Sequence, residues 1–97
     1  MAYREGRRAS NPLITVHARR NGLAQFRVGI TVPGRIGGAV VRNHVKRRVR
    51  EAFRSLRVVP VGVDVVVVPK DAARYAPFPA LVGSLQELLG RVAEETP

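Results

Sequence analysis

The segment Val61-Gly62-Val63-Asp64-Val65-Val66-Val67-Val68 constrains the fold of this chain more than any other stretch. Side chains branched at Cβ favour the extended backbone, and a nearly continuous run of them suits an interior strand covered on at least one face. Pro69 closes the run. Two further strand candidates precede it. Leu13-Ile14-Thr15-Val16-His17-Ala18 follows Pro12, and Gln25 to Val32 places Phe26, Val28, Ile30 and Val32 on one face. Between these two lies Arg19-Arg20-Asn21-Gly22, and Asn-Gly tolerates positive φ at both positions, so the pair is expected to form a hairpin.

The apolar period then changes. Val41, Val45, Val49, Ala52, Phe53 and Leu56 fall on one side of a wheel advancing about 100° per residue, which predicts a helix over 39–57 after the connector Arg35-Ile36-Gly37-Gly38. Beyond a loop from Asp71 to Pro79, where Pro77 and Pro79 suit a helix entrance, Leu81, Leu85, Leu88, Leu89 and Val92 predict a second helix over 77–95. Residues 1–11 read as a loose basic arm or the remnant of a helix. The order strand, strand, helix, strand, helix predicts an α+β fold, a small sheet with helices packed on one face. At 97 residues the chain makes one domain, 1–97, with a single modest core.

Composition excludes several functions. The absence of Cys removes disulfide scaffolds, thiolate metal sites and a cysteine nucleophile, and is compatible with a reducing cytosol. Met1 to Arg8 carries basic residues with no apolar segment behind them, so no secretory signal is expected. The longest run of apolar residues, Val65 to Val68, is far too short to span a membrane. The two His lie on different elements, the seven Asp and Glu are scattered, and Ser10, Ser55 and Ser84 lack a nucleophile context. No residue of the chain is expected to be catalytic, and no metal site is expected.

Charge points to a partner. Of 17 Lys and Arg, 14 lie in residues 1–57 against two acids, while residues 58–97 hold three against five. Such asymmetry creates a field suited to a polyanion. Within the predicted helix Arg42, Lys46 and Arg50 are spaced to stack along one stripe, Arg47, Arg54 and Arg57 widen it, and Glu51 is the only acid. A face of one sign is relieved by phosphates, whose neutralisation releases counterions and makes binding salt-sensitive. Arg outnumbers Lys here, and its planar fork suits phosphate oxygens. A hairpin rather than a helix precedes this helix, so no helix-turn-helix is present, and a basic helix beside a sheet favours folded or single-stranded RNA over duplex DNA. The opposite face is mostly Val and Ala, weak for membrane insertion, so no membrane partner is expected.

The residues from Gly37-Gly38-Ala39-Val40-Val41-Arg42-Asn43-His44-Val45-Lys46-Arg47-Arg48-Val49-Arg50-Glu51-Ala52-Phe53-Arg54 resemble the signature of the bacterial ribonuclease P protein component. Similarity extends to Arg4-Glu5-Gly6-Arg7-Arg8, to Arg27-Val28-Gly29-Ile30-Thr31-Val32 and to Gly62-Val63-Asp64-Val65-Val66-Val67, roughly residues 3–92 in all. The resemblance implies an α-β sandwich like the second domain of ribosomal protein S5, with a left-handed βαβ crossover and an N-terminal helix shortened or absent in this chain. It implies a cytoplasmic subunit of ribonuclease P that binds the catalytic RNA and the 5′ leader of precursor tRNA and assists removal of the leader in tRNA maturation. Catalysis would belong to the RNA, Mg²⁺ would enter only through that RNA, and no protein partner would be required. Arg42, Asn43, His44, Lys46, Arg47, Arg50 and Arg54 would face RNA. Tyr3, Arg7, Arg8 and His17 would border a leader cleft on the sheet.

The chain departs from the family pattern where His44 replaces the second Arg of an Arg-Asn-Arg triplet, and at Gly34 and Gly38, where Lys and a polar or basic residue are common. A general binder of structured RNA, of ribosomal or chaperone type, is the alternative reading.

Overall fold

A computed structural model describes residues 6–57 and 59–94. Strands β1 (Arg7–Ser10), β2 (Ile14–Arg20) and β3 (Phe26–Ile30) are followed by helix α1 (Ala39–Arg54), strand β4 (Val63–Pro69) and helix α2 (Phe78–Glu94). Short 3₁₀ turns cover Gly34–Ile36 and Asp71–Arg74. The valine run is the strand that organises the sheet: the order is β1-β2-β4-β3, with β4 antiparallel to β2 and parallel to β3. A parallel pair cannot be joined by a tight turn, and α1 supplies the crossover between β3 and β4.

Alternation on the strands separates two surfaces. Val63, Val65 and Val67 on β4, Ile14, Val16 and Ala18 on β2 and Ala9 on β1 are buried toward the helices. All of these but Val63 form one core with Val45, Val49 and Ala52 of α1 and with Leu81, Leu85, Leu88, Leu89 and Val92 of α2. α2 packs across β1 and β2, α1 lies beside β3, and the helices touch each other. The mixed sheet with both helices on one face is the α+β arrangement that the element order predicts.

The expected β2–β3 hairpin does not form, because β4 lies between the two strands. A bend does form there, with positive φ at Gly22 and not at Asn21. Gly22 has a φ of 73°, and the Asn21 side chain accepts a bond from the Leu23 N–H at 2.7 Å. The Asn21 amide, however, donates to Asp64 of β4 at 2.9 Å, and its backbone N–H donates to the Gly62 carbonyl at 3.0 Å. The chain therefore reverses direction across about two strand spacings, roughly 10 Å, and leaves room for the strand most in need of two neighbours.

The N-terminal segment also differs from the loose arm expected over residues 1–11. Residues 7–10 are β1, paired antiparallel to β2 from Arg7 opposite Ala18 to Ser10 opposite Thr15. Ala9 is buried in the core, and the Ser10 and Thr15 hydroxyls lie 3.0 Å apart. Tyr3 and the expected remnant of an N-terminal helix lie outside the described residues.

Helix α1 ends at Arg54, three residues short of its expected end, with the Ser55 hydroxyl donating to the Glu51 carbonyl at 3.3 Å. Its start depends on a close approach. A Cβ on Gly37 would fall 2.8 Å from the Cβ of Val41, so only glycine lets the connector lie against the first turn. Pro69 is the last residue of β4 rather than a stop after it, paired with Ile14.

Candidate nucleic-acid interface

Helix α1 turns Val45, Val49 and Ala52 into the core, and the 3.6-residue repeat then puts Asn43, Arg47, Arg50 and Arg54 on the exposed side. His44 is also exposed, while Arg42 and Lys46 lie half-buried along the flank. The cations are not equivalent. Arg42 donates from Nε to the Gly37 carbonyl at 3.1 Å, which ties the connector to the helix. Arg54 lies 3.1 Å from the Glu51 carboxylate and is partly neutralised by it. Lys46, Arg47 and Arg50 form no ion pair or hydrogen bond with any other described residue.

Arg48 follows Arg47 in sequence but lies about 100° round the helix, on the side of the Asp71–Arg74 turn. Its guanidinium donates to the carbonyls of Ala73 at 2.9 Å and Arg74 at 3.4 Å, and also to that of Ala76. This arginine binds protein backbone, whereas its neighbour Arg47 faces solvent. The sequence stripe does not distinguish the two. A signal was present in the wheel, since Arg48 lies close to the valine side.

The sheet surface away from the helices is open. Register places Arg8, His17, Val66 and Gly29 in one row across β1, β2, β4 and β3, with Arg19, Asp64 and Arg27 in the next. A hollow over these rows is lined by Gly6, Arg8, His17, Arg19, Asp64 and Val66. Arg7 reaches its rim, although its register opposite Ala18 aligns it with the helix side. His17 is exposed and next to Arg8, so a base lying on the imidazole would have a cation for its phosphate.

One end of the hollow is fixed by a charge pair. Arg27 Nε and Nη2 reach the two Asp64 oxygens at 2.7 and 2.8 Å, while the Asn21 amide binds the same carboxylate. The Arg27 bonds, followed by the Asn21 bond, lower the Asp64 pKa from 3.8 to about 2. Asp64 is thus an ion-paired carboxylate of the sheet. Among the described residues no group of three His, Cys, Asp or Glu is placed to hold a metal ion.

The structure gathers Arg42, Asn43, His44, Lys46, Arg47, Arg50 and Arg54 on one helix, and places Arg8 and His17 side by side on the open sheet. Sequence reasoning passed over Arg19, which lines the hollow two residues beyond His17 and so on the same face. It also passed over Tyr75, an exposed aromatic in the loop that Arg48 holds. No helix among the described residues is long and apolar enough to cross a membrane.

Known proteins resemble the chain in sequence and in fold. Residues 1–93 match the family model described as Ribonuclease P. The chain is 36% identical over 91 residues to the ribonuclease P protein component of Brevibacillus brevis, covering 92% of this chain and 72% of that protein. It is 41% identical over 87 residues to the same component of Gluconacetobacter diazotrophicus, covering 87% of this chain and 75% of that one. Among solved structures, the ribonuclease P protein of Thermotoga maritima superposes with a TM-score of 0.82 at 37% identity, covering 90% of this chain and 84% of the other. A Staphylococcus aureus ribonuclease P protein superposes with a TM-score of 0.75 at 29% identity, covering 89% and 80%.

Proposed function

The chain belongs to the bacterial ribonuclease P protein family, and from that membership we propose that it docks the exposed face of α1 on ribonuclease P RNA while its open sheet receives the 5′ leader of precursor tRNA. The family is that of a protein subunit of the ribonuclease P ribonucleoprotein, which acts in tRNA 5′ maturation. One observation carries the docking: Lys46, Arg47 and Arg50 project from α1 without an internal counter-charge among the described residues. Phosphate is the partner that relieves them, through charge-assisted hydrogen bonds and released counterions. Asn43 adds an amide for a sugar or base edge, and His44, in the place of the family's second Arg, offers its ring nitrogens for a hydrogen bond.

For the leader, the support is the row of Arg8 and His17 over an open hollow. An extended single strand fits such a surface, with bases on flat side chains and phosphates toward arginine. Catalysis is assigned to the RNA, and Mg²⁺ to the RNA that holds it. The chain's own contribution is electrostatic, lowering the repulsion between catalytic RNA and substrate. The site of action follows as the cytoplasm, where precursor tRNA is processed.

The test is reconstitution with a bacterial ribonuclease P RNA at low Mg²⁺. Addition of the chain is expected to accelerate precursor-tRNA cleavage, and Arg8→Ala with His17→Ala to remove the preference for substrate carrying a leader over mature tRNA. No gain in cleavage overturns the docking proposal, and an unchanged preference in the double variant overturns the leader site.

A further inference from the structure

We propose that Tyr75, with Arg74 on one face of its ring, is a stacking site for an unpaired nucleotide of the RNA that α1 engages. Tyr75 is 76% exposed. The Arg74 guanidinium carbon lies 5.1 Å from the ring centroid, and with so much of the residue in solvent the opposite ring face is open. A guanidinium on one face and a base on the other is a favourable sandwich, because the ring accepts the cation and stacks with any base.

The platform is held in place. Arg74 also donates from Nη1 to the Ile36 carbonyl at 3.4 Å, so the guanidinium over the ring is linked to the connector before α1 as well. The Tyr75 N–H donates to the Ala72 carbonyl at 3.2 Å. Arg48 grips the backbone on both sides of Tyr75, at Arg74 and at Ala76. The backbone that carries the ring is therefore fixed to α1, whose next cation, Arg47, faces outward with no partner among the described residues. A base bound there loses little entropy to ordering of the protein.

An apolar protein surface is the competing occupant, since Phe78 is also 37% exposed nearby in the chain. Charge favours RNA: the ring is approached by an arginine and belongs to a turn joined to the cationic helix. The site rests on the proposed RNA reading, and the experiment separates the two.

The full chain is reconstituted with bacterial ribonuclease P RNA, and affinity is measured across a salt series for the parent, Tyr75→Ala, Tyr75→Phe and Arg47→Ala. Tyr75→Ala is expected to weaken binding roughly tenfold without altering the salt slope, because stacking releases no counterions. Tyr75→Phe, which keeps the ring, remains within about twofold of the parent. A photoreactive aromatic at position 75 cross-links to RNA in the complex. If Arg47→Ala weakens binding and Tyr75→Ala does not, the stacking site is wrong while the RNA reading stands. A Tyr75→Ala effect confined to self-association in sedimentation also overturns it, in favour of a protein contact. Failure of the parent to bind the RNA removes both.

Discussion

Two cationic regions of this molecule, the outer face of α1 and the two ends of the open sheet face, treat their charge in opposite ways. On the sheet, Arg27 is held by both oxygens of Asp64, and at the far end Lys70 is engaged by the Ser10 hydroxyl at 2.8 Å and the Asn11 carbonyl at 2.7 Å. On α1, Glu51 is the only carboxylate and it serves Arg54, leaving Lys46, Arg47 and Arg50 without one among the described residues. A cation with an internal partner fixes geometry, whereas one without a partner is available to an external anion. Net charge does not separate these roles; only the partner of each side chain does.

The largest expected effect tests the helix side of this contrast. Replacing Lys46, Arg47 and Arg50 together with Ala is expected to lower affinity for ribonuclease P RNA at least about a hundredfold. The slope of log affinity against log salt falls by roughly one for each phosphate that the helix no longer neutralises. Thermal unfolding stays close to the parent, since these side chains hold nothing inside the protein. An unchanged slope means that α1 does not meet phosphate and that the contrast between the surfaces has no functional meaning.

Arg48 sharpens the comparison, because it lies within the cationic helix but behaves like Arg27 and Lys70 at the ends of the sheet. Arg48→Ala leaves the carbonyls of Ala73, Arg74 and Ala76 without their donor. The expected loss is about 2 kcal/mol, which in a domain of this size lowers Tm by roughly 10 °C. The salt slope of RNA binding is expected to match the parent, in contrast to Arg47→Ala. A reduced slope with unchanged Tm would reverse the roles of these adjacent residues.

What could be read from the sequence follows the same division. Periodicity identified the buried strip of α1 and the core residues of α2, since apolar repeats depend only on which side of an element meets the core. The strand at Val63–Pro69 was legible from its β-branched run, but its neighbours were not. Asn21-Gly22 specifies a reversal of direction, and nothing local to that turn records that β4 lies between the reversing strands. β1 was hidden for a related reason. Arg7-Arg8-Ala9-Ser10 has a single apolar residue, and its pairing comes from the free edge of β2 rather than from its own composition. Charge density marked α1 as a whole, yet the separate surroundings of Arg47 and Arg48 depend on a turn some 25 residues later in the chain.

The smallest expected effect tests the sheet side. Arg27, with Asn21, holds Asp64 at a pKa of about 2, below its ordinary 3.8. A carboxylate depressed by folding stabilises the native state above its unfolded pKa, and this contribution is lost as pH falls through the folded value. For Asp64 the window is therefore about pH 4 to 2. Urea unfolding at pH 7 and through that window, compared between the parent and Asp64→Asn, isolates the pair from the other carboxylates. The variant is expected to be slightly less stable at pH 7 and to converge on the parent as the pH approaches 2, because the parent then loses the same charge. Both side chains of the pair are solvent-accessible, so the difference is small and shrinks in salt. A constant gap between the two proteins across the window would mean that Asp64 supports β4 by shape and hydrogen bonding to Asn21, with its charge contributing nothing.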